Sequence, residues 1–151
     1  MSEDNINTLV QVTIQVLERF AFLMGDPPEP GDRPPAFPSP SWLVTIAFTG
    51  PRAGVIGIVV PPALAAQAAA NLHGVEPSQV SEEQAVDAVK ELLNIVCGNY
   101  LHEIEGNKPL FDLSSPAHQA VAWERAAQYV QGKTQAALVV EGSPLLLFIE
   151  K

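Results

Sequence analysis

Apolar residues recur at helical spacing in some stretches of the chain and crowd together as in strands in others. Leu9, Val12, Val16, Leu17, Phe20 and Leu23 keep an i, i+3, i+4 rhythm, so residues 5–24 predict a helix that Gly25 and Asp26-Pro27-Pro28 stop. Residues 27–41 carry seven prolines, at 27, 28, 30, 34, 35, 38 and 40, which predicts a stiff extended loop along the surface. Trp42–Thr49 and Val55–Val60 are β-branched and apolar around Gly50-Pro51-Arg52-Ala53-Gly54, the pattern of two strands and a tight connection. Pro61-Pro62 then opens a helix from Ala63 to Leu72, with Gly74 just past its end.

Ser81-Glu-Glu-Gln84 has the form of a capping box and starts a further helix that runs to about Glu105 and stops at Gly106-Asn107. At about 1.5 Å per residue it spans roughly 36 Å, enough to cross a small domain. Val86, Val89, Leu93, Val96, Cys97, Tyr100 and Ile104 form its core face. Ser115-Pro116 followed by Ala-, Gln- and Glu-rich sequence predicts another helix over 117–130. Gln135–Val140 and Leu145–Ile149 read as two strands around Glu141-Gly142-Ser143-Pro144.

The face of the long helix opposite its apolar arc carries Asp87, Glu91, Asn94 and Gly98. At about 100° per residue these four fall within roughly 60° of one another. Most polar helix faces are only solvated. The glycine is what asks for another reading: it costs about 1 kcal/mol relative to alanine inside a helix. On a solvent-facing stripe no core neighbour demands its small size, so the remaining reason is close approach by something from outside.

Composition narrows the function. The 151 residues suffice for one ordinary domain with a real core. The formal net charge of −9 argues against nucleic acid and anionic membrane surfaces and permits a basic partner. Cys97 is the one cysteine, so no internal disulfide forms; it reads as a small core residue in a reducing cytoplasm. The start, Met-Ser-Glu-Asp-Asn, lacks the order of a secretory signal, and no apolar run is long enough to span a membrane. His73, His102 and His118 are scattered without ligand spacing, so a metal site is not expected; His102 and Glu105, at i, i+3, are weak on their own.

The halves of the chain share a plan of long helix, proline-bearing segment and hairpin. At an offset of 76, Asn94 falls on Glu18, Glu91 on Gln15 and Pro116 on Pro40, and Phe37-Pro-Ser-Pro40 meets Leu113-Ser-Ser-Pro116. The second half carries about 17 additional residues before its hairpin. A repeated unit implies pseudo-two-fold symmetry, with half-repeats at about 5–62 and 81–150 of a single domain over 1–151. Phe22 stands where the second half has Gly98 and is expected to fill the space that the glycine leaves open.

Asp87, Glu91 and Asn94, with Pro116 coming 22 residues after the asparagine and Gly98 between them, resemble the signature of the CheC/CheX/FliY chemotaxis phosphatases. A single motif, in the second half, resembles the CheX type. The resemblance implies an α/β (α+β) two-layer fold: a mostly antiparallel sheet of about six strands covered by long helices on one side. It implies a hydrolase acting on the aspartyl phosphate of a CheY-like response regulator, in chemotaxis or a related two-component pathway. In that scheme Asn94 orients the attacking water, Glu91 pairs with the regulator's lysine, Asp87 and Gly98 serve docking, and Pro116 is structural. The protein would need no cofactor of its own, since Mg²⁺ arrives with the phosphorylated regulator. The resemblance also implies a homodimer, joined by pairing of exposed sheet edges. The competing reading is a non-catalytic module of the same fold that binds a response regulator or a flagellar-switch component.

Overall fold

The computed structural model describes residues 2–27, 40–106 and 111–151. Its elements run α1 (Ser2–Ala21), β1 (Gly25–Asp26), β2 (Ser41–Thr49), β3 (Gly54–Val60), α2 (Pro62–His73), a 3-10 turn at Pro77–Gln79, α3 (Glu82–Glu105), β4 (Asp112–Leu113), β5 (Ala117–Val121), α4 (Trp123–Val130), β6 (Thr134–Val140) and β7 (Ser143–Glu150). The strands form one antiparallel sheet in the order β1-β6-β7-β3-β2, with β4 and β5 in tandem along the outer edge of β2.

Both predicted hairpins form. In the first, β2 and β3 pair from Trp42↔Val60 to Phe48↔Gly54. In the second, Val140 and Ser143 flank a two-residue turn in which Glu141 (φ 49°) and Gly142 (φ 77°) are both left-handed. That is the turn whose twist matches paired strands, and glycine takes one of its two positive-φ positions without strain. Glu141 also holds β1 in place: its backbone N–H donates to Met24 C=O and its carboxylate accepts from Met24 N–H, each at 3.0 Å. The hairpins join through β3 and β7, from Val55↔Glu150 to Val59↔Leu146.

Alternation along the strands gives the sheet two apolar faces. Val44, Ile46, Phe48, Ile56, Ile58, Leu145, Leu147 and Ile149 pack with the inner faces of α1, α2 and α3 into the main core. Leu43, Val59, Leu146 and Phe148 point the other way and meet Val121, Ala126 and Val130. Among the described residues the fold is therefore α/β with seven strands, and helices lie on both faces where the resemblance implied about six strands and helices on one.

The largest departure lies at 117–130. Ala117–Val121 is a strand paired with Ser41–Thr45, and only residues from Trp123 onward are helical. Its composition favours a helix, but β2 would otherwise present an unpaired row of backbone groups, and the hydrogen bonds gained there outweigh a few tenths of a kcal/mol of propensity per residue. His118 also sets its ring edge-on to Trp42, with centroids 5.9 Å apart. The additional residues of the second half thus build an edge strand and the helix on the far face.

A second departure ends α1 at Ala21, three residues short of the predicted end at position 24. Phe22 turns left-handed (φ 55°) and swings the chain so that Leu23 is buried, 2% exposed, with its N–H on Leu17 C=O at 3.0 Å. Phe22 itself is 70% exposed, so it does not occupy the helical position of Gly98 as the repeat implied. The other helix ends are as read: Gly74 (φ 67°) caps α2 and Gly106 (φ 78°) ends α3. The proline-rich loop lies outside the described residues from 28 to 39, as does the Phe37-Pro-Ser part of the repeat.

Gly57 faces Phe148 on the far side of the sheet, where a Cβ would overlap the phenyl ring. That ring is fully buried and packs edge-on to Tyr129, with centroids 5.4 Å apart, so it cannot swing aside. Gly57→Ala is expected to destabilise the protein by about 1–3 kcal/mol in denaturant titration. The same substitution in a Phe148→Leu background is expected to cost less.

Candidate functional site

The candidate site is built on α3, whose start is secured by the capping box. The Gln84 N–H donates to Ser81 Oγ at 3.1 Å, and the Ser81 N–H donates to Gln84 Oε1 at 2.9 Å. From there Ala85, Val86, Ala88, Val89, Leu92, Leu93, Val96, Cys97, Tyr100 and Leu101 are buried, anchoring the helix to the sheet, α1 and α2. Burial on that side turns Asp87, Glu91, Asn94 and Gly98 outward, and all four are exposed. The three polar side chains hold no hydrogen bond or ion pair among the described residues, so their donors and acceptors face solvent.

Gly98 bears directly on the question its sequence raised. A Cβ built on it meets nothing within 4 Å among the described residues. The fold does not require the glycine: φ is ordinary and the space is open. The helix carries the propensity cost without any gain from the described residues, which leaves a bare patch of backbone flanked by side chains one turn away.

The stripe continues in both directions by phase. Glu83 lies one turn before Asp87, and His102 one turn after Gly98; both are exposed. Glu105 falls in the same phase but is taken, its carboxylate lying 2.6 Å from Arg52 Nε. This pair ties the β2–β3 turn to the end of α3 and closes the stripe at His102. The i+4 spacing of 94, 98 and 102 is the sequence signal for His102, although by composition and ligand spacing it reads as an ordinary surface histidine.

Pro116 does not start a helix. Ser114 pairs with Ala47 in both directions, its N–H donating to Ala47 C=O and its Oγ accepting from Ala47 N–H, each at 2.9 Å. Leu113 faces Phe48 and Ala117 faces Thr45, so Ser114, Ser115 and Pro116 oppose the two residues Ile46 and Ala47. This is a bulge between β4 and β5, where a residue lacking an N–H breaks no ladder bond.

Cys97 is fully buried, and desolvation pushes its thiol up to about 12, so it is a packing residue and not a nucleophile. Burial likewise pushes the Tyr100 phenol up to about 12, partly offset by the nearby Arg52 charge. Among the described residues no group of three or more His, Cys, Asp or Glu side chains is placed to hold a metal ion. No helix among them is long and apolar enough to cross a membrane.

The family model described as "Chemotaxis phosphatase CheX" matches residues 42–122, a span containing Asp87, Glu91, Asn94, Gly98 and Pro116. No curated protein matches the chain. Among solved structures, the chain is similar to the chemotaxis protein CheX from Vibrio vulnificus, at 19% identity and TM-score 0.72 over 99% of this chain and 97% of that one. It is similar to CheX from Desulfovibrio desulfuricans, at 15% identity and TM-score 0.70 over 97% of each chain. It is also similar to a chain of the CheX–CheY–BeF3–Mg²⁺ complex from Borrelia burgdorferi, at 18% identity and TM-score 0.66 over 96% of each chain. At these identities the structural likenesses establish the fold.

Because space around Gly98 is open, Gly98→Ala is expected to raise stability by up to about 1 kcal/mol. Thermal unfolding would read this as a rise in Tm of about 2–4 °C. A lower Tm would show that the glycine serves the fold after all.

Proposed function

Since the chain belongs to the CheX family of chemotaxis phosphatases, we propose that it hydrolyses the aspartyl phosphate of a CheY-like response regulator, with Asn94 and Glu91 as its working side chains. The observation that carries this reading is the outward Glu91 and Asn94, unpaired among the described residues, beside a glycine whose small size none of those residues requires.

An acyl phosphate is already labile, so the enzyme need not supply a nucleophile of its own. It has to hold a water in line with the phosphorus. The Asn94 amide suits that task, because its oxygen accepts from the water O–H while its nitrogen can donate to the phosphoryl group. The water oxygen forms the new bond to phosphorus as the bond to the aspartyl oxygen breaks. The products are inorganic phosphate and the regulator's free carboxylate, and the water's proton leaves with the phosphate or to solvent.

Glu91, one turn earlier, pairs with a lysine on the regulator and fixes the register of the complex. Asp87 adds negative charge at the same end of the face. Gly98 lets the partner backbone approach the helix, and Pro116 shapes the edge of the sheet. The Mg²⁺ would come with the regulator. The complex from Borrelia burgdorferi, which holds CheY, BeF3 and Mg²⁺ together with CheX, supports a receiver domain as the partner.

Purified protein mixed with a phosphorylated receiver and Mg²⁺ is expected to speed dephosphorylation above the receiver's own decay. Asn94→Ala is expected to lower the rate at saturation by about 100-fold or more, as misplacement of a reacting group does. Glu91→Ala is expected to act mainly on the receiver concentration needed for half-maximal rate. Full activity in Asn94→Ala would remove the asparagine from the mechanism. Binding without any turnover would leave a non-catalytic receiver-binding module.

A further inference from the structure

We propose that His102 is a positioning residue of the α3 docking face, donating a ring N–H to a backbone carbonyl of the partner segment that closes over Gly98. The inference rests on the reading of α3 as a receiver-docking face and extends that face by one turn.

Placement makes the case. His102 follows Gly98 by four residues, so it lies about 40° from it around the helix and about 6 Å further along. Asn94 stands the same distance on the other side. The two Cα atoms are thus about 12 Å apart along the axis, with the bare backbone of Gly98 between them. Hydrogen-bonded backbones run about 4.8 Å apart, so a single partner segment lying in this gap comes within reach of both side chains. The gap is open, since a Cβ on Gly98 meets nothing within 4 Å.

Chemistry gives the two walls different tasks. His102 is exposed, and its ring holds no hydrogen bond among the described residues, while its backbone carbonyl accepts from Gly106 N–H at 2.8 Å. An imidazole keeps at least one N–H donor whether neutral or charged. Beyond it the stripe is closed, because Glu105 is engaged by Arg52. The N-terminal half of the stripe offers the carboxylates of Glu83, Asp87 and Glu91; the C-terminal half offers an amide, a gap and an N–H donor. A partner therefore meets acceptors for its cations at one end and a donor for its carbonyl at the other, which sets its direction along the helix.

The bland alternative is that His102, in the last turn of α3, merely complements the helix dipole. That role would appear in stability and not in binding. The test uses a receiver domain that the wild-type protein dephosphorylates, loaded with Mg²⁺ and beryllofluoride as a stable phosphoryl mimic. His102→Ala is expected to weaken its binding about tenfold, equivalent to about 1.4 kcal/mol, while the rate of dephosphorylation of the same receiver in its phosphorylated form, at saturation, stays within about twofold of wild type. His102→Gln, which keeps an N–H donor, is expected to bind within about threefold of wild type. Unchanged affinity in His102→Ala, or a Tm loss without an affinity loss, overturns the inference while the asparagine mechanism stands on its own test. A Gln variant as weak as the Ala variant overturns the donor role. If the wild-type protein neither binds a beryllofluoride-loaded receiver nor dephosphorylates a phosphorylated one, the phosphatase reading fails and this inference with it.

Discussion

Burial of the inner side of α3 runs from Ala85 to Leu101, and a period of 3.6 residues then leaves the opposite side facing solvent. The remainder of the structure depends on this. The sheet supplies the surface against which the helix lies, α1 and α2 flank it, and the capping box sets where it starts. With register and rotation fixed by packing, Asp87, Glu91, Asn94 and Gly98 hold their relative positions without a single hydrogen bond among their side chains. A site on a packed helix is held more rigidly than one on a loop. That suits the proposed reaction, in which the helix would have only to place a water.

The hairpins β2–β3 and β6–β7 meet edge to edge at β3 and β7, so most of the sheet is built from two similar pieces. Its far face is not left bare. Gly57 makes room for Phe148, and α4 covers part of that face with Ala126 and Val130. The outer edge of β2 is closed by β4 and β5 with the bulge at Ser114–Pro116 between them. Pro116 thus belongs to the sheet edge, while the asparagine 22 residues before it belongs to the helix face.

Much of this was legible because it rests on local signals. Helical phase placed the stripe, Ser81 and Gln84 marked the start of α3, and paired apolar runs marked both hairpins. The readings that failed needed a neighbour distant in sequence. Residues 117–121 have helical composition, and only the open edge of β2 makes them a strand. Phe22 carries no glycine-like signal, and only the burial of Leu23 explains its left-handed turn. The pairing of Arg52 with Glu105, which ends the stripe at His102, joins a turn to a helix end that no local pattern connects. Gly98 was legible as an anomaly, and the open space around it is what turns the anomaly into an argument.

The most direct test of this account is single-turnover dephosphorylation of a phosphorylated receiver by Gly98→Trp. The side chain points into open space, so the variant is expected to fold with a native-like Tm. The indole fills the gap between Asn94 and His102, and dephosphorylation is expected to fall to the receiver's own rate of decay. Wild-type activity in a folded Gly98→Trp protein would contradict the account, because no partner could then be closing onto the helix at that point.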